Sequence, residues 1–430
     1  MAATLIASRH QLPSLSSIRP LYRLGRTRPY PSRMAIDPPP FRPDRRSFST
    51  ASSLNSPTGS SGPFTFHVAA SFTGKDRRFD PTTHVFHFDS HNRFPQTKGS
   101  KSARPDSGHD AFFVSPVGTT NAVALGVADG VGGWVDSGVD PADFAHGLCE
   151  YISTAASEHE SENPDAAETA TPLPPSARNL LQVGYQRVCE DRTIRAGGST
   201  ACVAVAAPDG TLDVANLGDS GFLQLRLGAV HASSEPQTHA FNTPFQLSVV
   251  PPSVAARMAA FGGAQLSDFP RDADVSHHQL RHGDVLVFAS DGVWDNLFDQ
   301  DVLRITRRVM TSSGAWVTTP SDSEGQAVAE DNKGGIRVID DLRPLTATQE
   351  QRSASSPSRV PVSLQSVLAT EITAAAKAAS INSKRDGPFA KEVQKWYPHE
   401  NWRGGKVDDV VVVVAVVSDE SRAGRPKSKL

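Results

Sequence analysis

Apolar runs in this chain are short, and turn residues separate them. Phe64–Val68 alternates apolar and polar positions. Ala111–Val114 and Ala122–Ala128 are continuous, and Ala201–Ala206, Leu212–Asn216 and Phe222–Leu227 follow, with Pro208-Asp209-Gly210 and Gly218-Asp219-Ser220-Gly221 between them. Runs of this length, bounded by turn residues, predict strands. Two more are expected at Asp284–Ala289 and Val410–Val417. The last is apolar throughout, which suits a buried strand and is far too short to cross a bilayer as a helix. Helices are predicted at Pro141–Ile152, Ser176–Glu190 and Ser363–Ala379, with a short one at Pro388–Trp396. Short strands grouped around a few helices point to a mixed sandwich or α+β core instead of repeated βαβ units.

Composition divides the 430 residues into unequal parts. The first 50 hold nine arginines, no lysine and two acids, Asp37 and Asp44, a balance of +7. Arg- and Ser-rich, acid-poor N-termini without a continuous apolar stretch read as organelle transit peptides. Arg46-Ser47-Phe48-Ser49 resembles a mitochondrial processing site with cleavage after Phe48, so residues 1–48 are assigned as a mitochondrial transit peptide and 49–63 as a linker. A folded domain is expected over 64–418, with insertions near 156–175 (Ala/Glu/Pro-rich) and 311–361 (Ser/Thr/Gly/Glu-rich, read as poorly ordered). Residues 419–430 read as a flexible tail. Over the whole chain 43 basic and 46 acidic residues nearly cancel, which argues against general nucleic-acid binding. Cys149, Cys189 and Cys202 form no CxxC pair and no disulfide framework.

The informative chemistry lies in acids at the ends of apolar runs. Ala124–Ala128 breaks into Asp129-Gly130-Val131-Gly132-Gly133, Val287–Ala289 into Ser290-Asp291-Gly292, and Asp408-Asp409 leads straight into the valine run. Three separated strand termini can offer carboxylates to one centre, and hard divalent cations such as Mg2+ or Mn2+ take oxygen ligands. A single Asp-Gly is a common turn; the joint arrangement singles out Asp129, Asp291 and Asp408. A Cys-phosphatase loop, a Walker Lys-Ser/Thr and a Gly-x-Ser-x-Gly elbow are all missing from the sequence.

Gly126–Trp134, Gly198-Ser199-Thr200-Ala201, Ala215–Phe222, Phe241–Leu247, Asp291–Asn296 and Gly404–Asp409 together resemble, in order, the metal-dependent PP2C-type (PPM) protein serine/threonine phosphatases, and their mitochondrial PTC7-like branch more closely. The resemblance covers about residues 64–417. It implies a four-layer α-β-β-α sandwich, with two central antiparallel β-sheets flanked by helices. It also implies hydrolysis of phosphoserine or phosphothreonine on mitochondrial proteins by direct attack of a dimetal-bound water. By resemblance, Asp129 bridges two Mn2+ or Mg2+ ions, Gly130 binds through its carbonyl, and Asp291 and Asp408 are the other principal ligands. Asp110 helps hold the second ion, and Asp219 shares a weaker third with Asp291. His109 replaces an acid found in many relatives. The phosphate-contacting arginine is placed at Arg104, with Lys101, Lys75, Arg77 and Arg78 as other candidates. The implied substrates are matrix metabolic proteins, ubiquinone-biosynthesis enzymes among them. The rival expectation, a non-catalytic PP2C-like regulatory binding protein, would need loss of the metal ligands.

Overall fold

The computed structural model describes residues 62–88, 101, 104–159, 174–252, 254–256, 268–318, 335–352 and 359–422. The assigned transit peptide, nearly all of the linker and most of the 156–175 insertion lie outside them. Among the described residues no helix is long and apolar enough to cross a membrane.

Eleven strands build the two main sheets: β1 (Phe64–Thr73), β2 (Val85–His87), β3 (Ala111–Pro116), β4 (Val123–Ala128), β5 (Ala201–Ala206), β6 (Thr211–Leu217), β7 (Gly221–Arg226), β8 (Ala229–Ser233), β9 (Asp274–Gln279), β10 (Val285–Ala289) and β11 (Val410–Asp419). One sheet has the order β2-β1-β11-β10-β7-β8 and the other β9-β6-β5-β4-β3. All of their pairings are antiparallel.

Side chains alternate across a strand, so each central strand feeds two different cores. In β11, Val410, Val412, Val414 and Val416 pack under helices, while Val411, Val413, Ala415 and Val417 face the other sheet. In β5, Ala201, Val203 and Val205 face outward to helices, and Cys202, Ala204 and Ala206 face the inter-sheet core. Helices α1 (Pro141–Ser157) and α2 (Ala177–Glu190) cover the five-stranded sheet, and α3 (Asp299–Ser312) and α4 (Leu364–Ser380) cover the six-stranded one. The result is the expected α-β-β-α sandwich. A shorter helix, α5 (Pro388–Trp396), follows α4. Polar caps start the helices: Asp140 accepts from the Ala142 amide ahead of α1, and Ser176 from the Asn179 amide ahead of α2.

One element goes unpredicted and one expectation needs correction. The amphipathic helix α3 is not anticipated by the sequence pattern. The described parts of 311–361 are also not a poorly ordered insertion: Ala315, Trp316 and Leu342 are fully buried in the core beneath α3 and α4. A short strand at Trp316–Thr318 pairs with Ile336–Val338, and the Trp316 indole donates to Gly283 O at 3.3 Å. Burial of an indole at this depth makes the segment's ends part of the folding unit.

Candidate metal centre

Register brings the acids to one end of the sandwich. Asp110 precedes β3 and Asp129 follows β4, and these strands pair Ala111 with Ala128. Asp291 lies just beyond β10 and Asp408-Asp409 just before β11, where Ala289 pairs with Val412. Asp219 occupies the β6–β7 turn, with Gly221 paired to Ala289. Thr73 pairs with Val410, which brings Gly74 and Lys75 to the same end.

Backbone contacts fix these loops. The Thr200 hydroxyl accepts from the Asp129 amide at 3.2 Å and lies 2.8 Å from the Ser220 hydroxyl, while the Thr200 amide donates to Asp129 O at 3.0 Å. Gly130 bridges to Ser199. A Cβ on Gly130 would lie 2.7 Å from His109 O and 2.8 Å from Pro141 O, so only glycine fits. Asp409, buried, accepts from the Lys75 amide at 2.6 Å and the His109 amide at 2.9 Å, tying the β1 and β3 approaches to β11. Gly108 has φ +71°, and a Cβ there would collide with the Asp409 carboxylate.

The electrostatics are those of crowded, desolvated acids. Burial, then repulsion from Asp409, holds the Asp110 carboxyl well above its ordinary range. Burial followed by Asp291 does the same to Asp129 and Asp219, and Asp110, Asp408 and Asp219 add to the repulsion felt by Asp129. Asp408 is raised by burial and by Asp291. Burial pushes Asp295 up to about 7 against the opposing charge of Lys406. At Asp291 burial also acts upward, but the charge and hydrogen bond of Lys406 outweigh it and the net direction is down. Asp110 Oδ2 and Asp219 Oδ1 are buried without a hydrogen-bond partner. An all-oxygen donor set, mutually repelling and with unpartnered buried oxygens, fits hard divalent cations.

The profile of the family described as "Protein phosphatase 2C" matches residues 101–315, half of the chain. The chain belongs to the protein phosphatase 2C family. It is 33% identical over 245 residues to "Protein phosphatase 2C homolog 7, mitochondrial" of Saccharomyces cerevisiae, covering 56% of this chain and 64% of that one. It is 42% identical over 202 residues to "Protein phosphatase PTC7 homolog fig" of Drosophila ananassae, covering 47% and 55%, and 37% identical over 207 residues to the human "Protein phosphatase PTC7 homolog", covering 48% and 62%. The matches thus span less than two thirds of these relatives.

In this phosphatase 2C chain Asp110, Asp129, Asp219, Asp291 and Asp408 share one electrostatic neighbourhood, with Gly130 beside Asp129. The Arg104 guanidinium pairs with Asp143 of α1 at 2.8 Å, and Lys101 pairs with Asp140 and Asp143 at 3.0 Å. Arg77 pairs with Asp106. Lys75 comes closest to the acids, its Nζ 3.9 Å from Asp409. Sequence reasoning gave no role to three residues of the site. Asp295 and Lys406 sit among the acids, and buried Asn296 donates to Gly292 O and Lys406 O, each at 2.9 Å. Asp295 and Asn296 were within reach as part of Asp291–Asn296. For Lys406, next to the last acid pair, nothing in the pattern signals that its ammonium turns inward.

Proposed function

We propose that this chain is a metal-dependent protein serine/threonine phosphatase acting on mitochondrial phosphoproteins. The observation that carries the reading is the convergence of five acids from separate strand ends, with two buried carboxylate oxygens left unpartnered.

In this reading Asp110, Asp129, the Gly130 carbonyl, Asp291 and Asp408 would hold two Mn2+ or Mg2+ ions, with Asp219 beside them in the same acidic neighbourhood. Bound there, such ions supply positive charge against the phosphate and lower the pKa of water. The chain's own work is to keep carboxylates in place against their repulsion: Thr200 fixes the Asp129 backbone, and Asp409 ties the two loops that flank Asp110. Arg104, paired with Asp143, is kept as the proposed phosphate contact, because a planar fork suits two phosphate oxygens. Cysteine chemistry is disfavoured, because Cys149 and Cys202 are buried and burial pushes both thiols far up. Mitochondrial residence is supported by the arginine-rich residues 1–48 and by the printed name of the yeast relative, and the matrix is the compartment proposed within it. Metabolic enzymes of that compartment, those of ubiquinone biosynthesis included, are the proposed substrates.

The test is phosphate release from a phosphothreonine peptide with Mn2+ and with EDTA. Turnover only with Mn2+ is expected; a folded chain inert in both would return the fold to a binding role. N-terminal sequencing of organelle protein should place the mature end near Ser49, and a dominant full-length cytosolic form would defeat the localisation.

A further inference from the structure

One cation already sits among the acids. Lys406 Nζ lies 2.6 Å from Asp291 Oδ2, 2.6 Å from Asp295 Oδ2 and 3.1 Å from Asp408 Oδ2. Among the described residues these carboxylates form the one acidic group whose ligand oxygens all come within 4.8 Å of one another. The ammonium donates to Asp291 and Asp295, and Asp408 completes the triad as an ion pair.

The lysine is held at both ends. Its backbone is locked to Asn296, which is fully buried: the Lys406 amide donates to Asn296 Oδ1 at 2.9 Å, and Asn296 Nδ2 donates to Lys406 O at 2.9 Å. Its head lies 5.1 Å from the Phe389 ring centroid, and the Phe389 amide in turn donates to Asp295 O at 3.0 Å. The side chain is 16% exposed. A divalent ion on the same three oxygens would stand within bonding distance of the ammonium, and two cations cannot share that volume in a desolvated site.

We infer that Lys406 is the resident cation of the Asp291–Asp295–Asp408 position and excludes a third divalent ion from it, so that the centre takes two. The inference rests on the metal-centre reading and stands against the weaker third ion that the resemblance shares between Asp219 and Asp291, because the ammonium already takes Asp291 Oδ2. Asp291 and Asp408 meet the ammonium through Oδ2, and among the described residues Asp129, Asp110 and Gly130 have no hydrogen bond or ion pair with it. Asp295 is then a positioning residue for Lys406 and has no ion of its own.

The test counts bound ions by the electron paramagnetic resonance signal of free Mn2+ during titration of the full chain to millimolar Mn2+. Two ions per chain are expected for the wild type and for Asp295→Asn. Three are expected for Lys406→Met, falling back to two when Asp295→Asn is added. A wild-type count of three that drops to two in Asp295→Asn overturns the inference, and so does a folded Lys406→Met that still binds two. Should Lys406→Met fail to fold by circular dichroism, the wild-type and Asp295→Asn counts decide alone. A chain that binds no Mn2+ overturns the metal-centre reading itself, and the inference with it.

Discussion

Asp129→Asn keeps the size of the side chain and removes its charge, so its effect should fall on ion occupancy and not on packing. The same holds for Asp291→Asn and Asp408→Asn. Each is expected to fold, to bind Mn2+ more weakly and to lose about 100-fold or more in turnover on a phosphothreonine peptide; near-normal turnover by folded Asp129→Asn would remove it from the centre. These acids were legible because each stands where an apolar run stops. Lys406 was not, because a strand end does not reveal which neighbouring side chains turn inward. His146 shows the same limit on α1. Burial, then the charge of Arg104, lowers its pKa to about 4 from 6.5. Between those values the unfolded chain takes up a proton that the folded chain refuses, so stability falls as pH drops from 6.5 to 4, by about 3 kcal/mol in total. His146→Leu should flatten that limb of a urea-denaturation profile relative to wild type, and an unchanged slope would show His146 to be solvated.

At the level of elements, strand positions were readable from apolar runs because both faces of the central strands are buried, as the two parities of β11 show. Helix α3 was missed for the opposite reason. Its apolar positions Val302, Ile305, Val309 and Met310 recur at helical spacing but are interleaved with Arg304, Arg307 and Arg308, so no run stands out. The misjudged segment after it carries a prediction. Trp316→Ala should cost about 3 to 5 kcal/mol, because a fully buried indole leaves a cavity between α3 and the six-stranded sheet. By contrast, replacing 320–333 with a short Gly/Ser loop should keep both folded signal and Mn2+-dependent turnover, since it rejoins the paired strands Trp316–Thr318 and Ile336–Val338 without touching them. Circular dichroism and urea titration of the two variants check the contrast. A Trp316→Ala chain as stable as wild type would restore the insertion to its full predicted length, and a loop replacement that unfolds would enlarge the core instead.

The whole molecule concentrates its unfavourable charge at one end of the sandwich, which makes stability depend on what binds there. Without ions, the raised carboxyls of Asp110, Asp129, Asp219 and Asp408 bind protons more tightly in the folded chain than in the unfolded one. A raised acid pKa is a stability contribution fully present below the ordinary carboxylate value of about 4 and lost as pH rises through the folded value. Divalent ions that bind only the folded chain reverse that loss, and at 100 times their Kd they add about 2.7 kcal/mol per independent site. The melting temperature with saturating Mn2+ should therefore exceed that in EDTA, and the gap should widen as pH rises above about 4. His146 titrates over the same range but acts equally on both samples, so it cancels in the difference. Paired scanning-calorimetry runs at several pH values read this directly. A gap that is absent, or that narrows as pH rises, would mean that the acids are not held together by cations and that the charged end of the sandwich serves some other purpose.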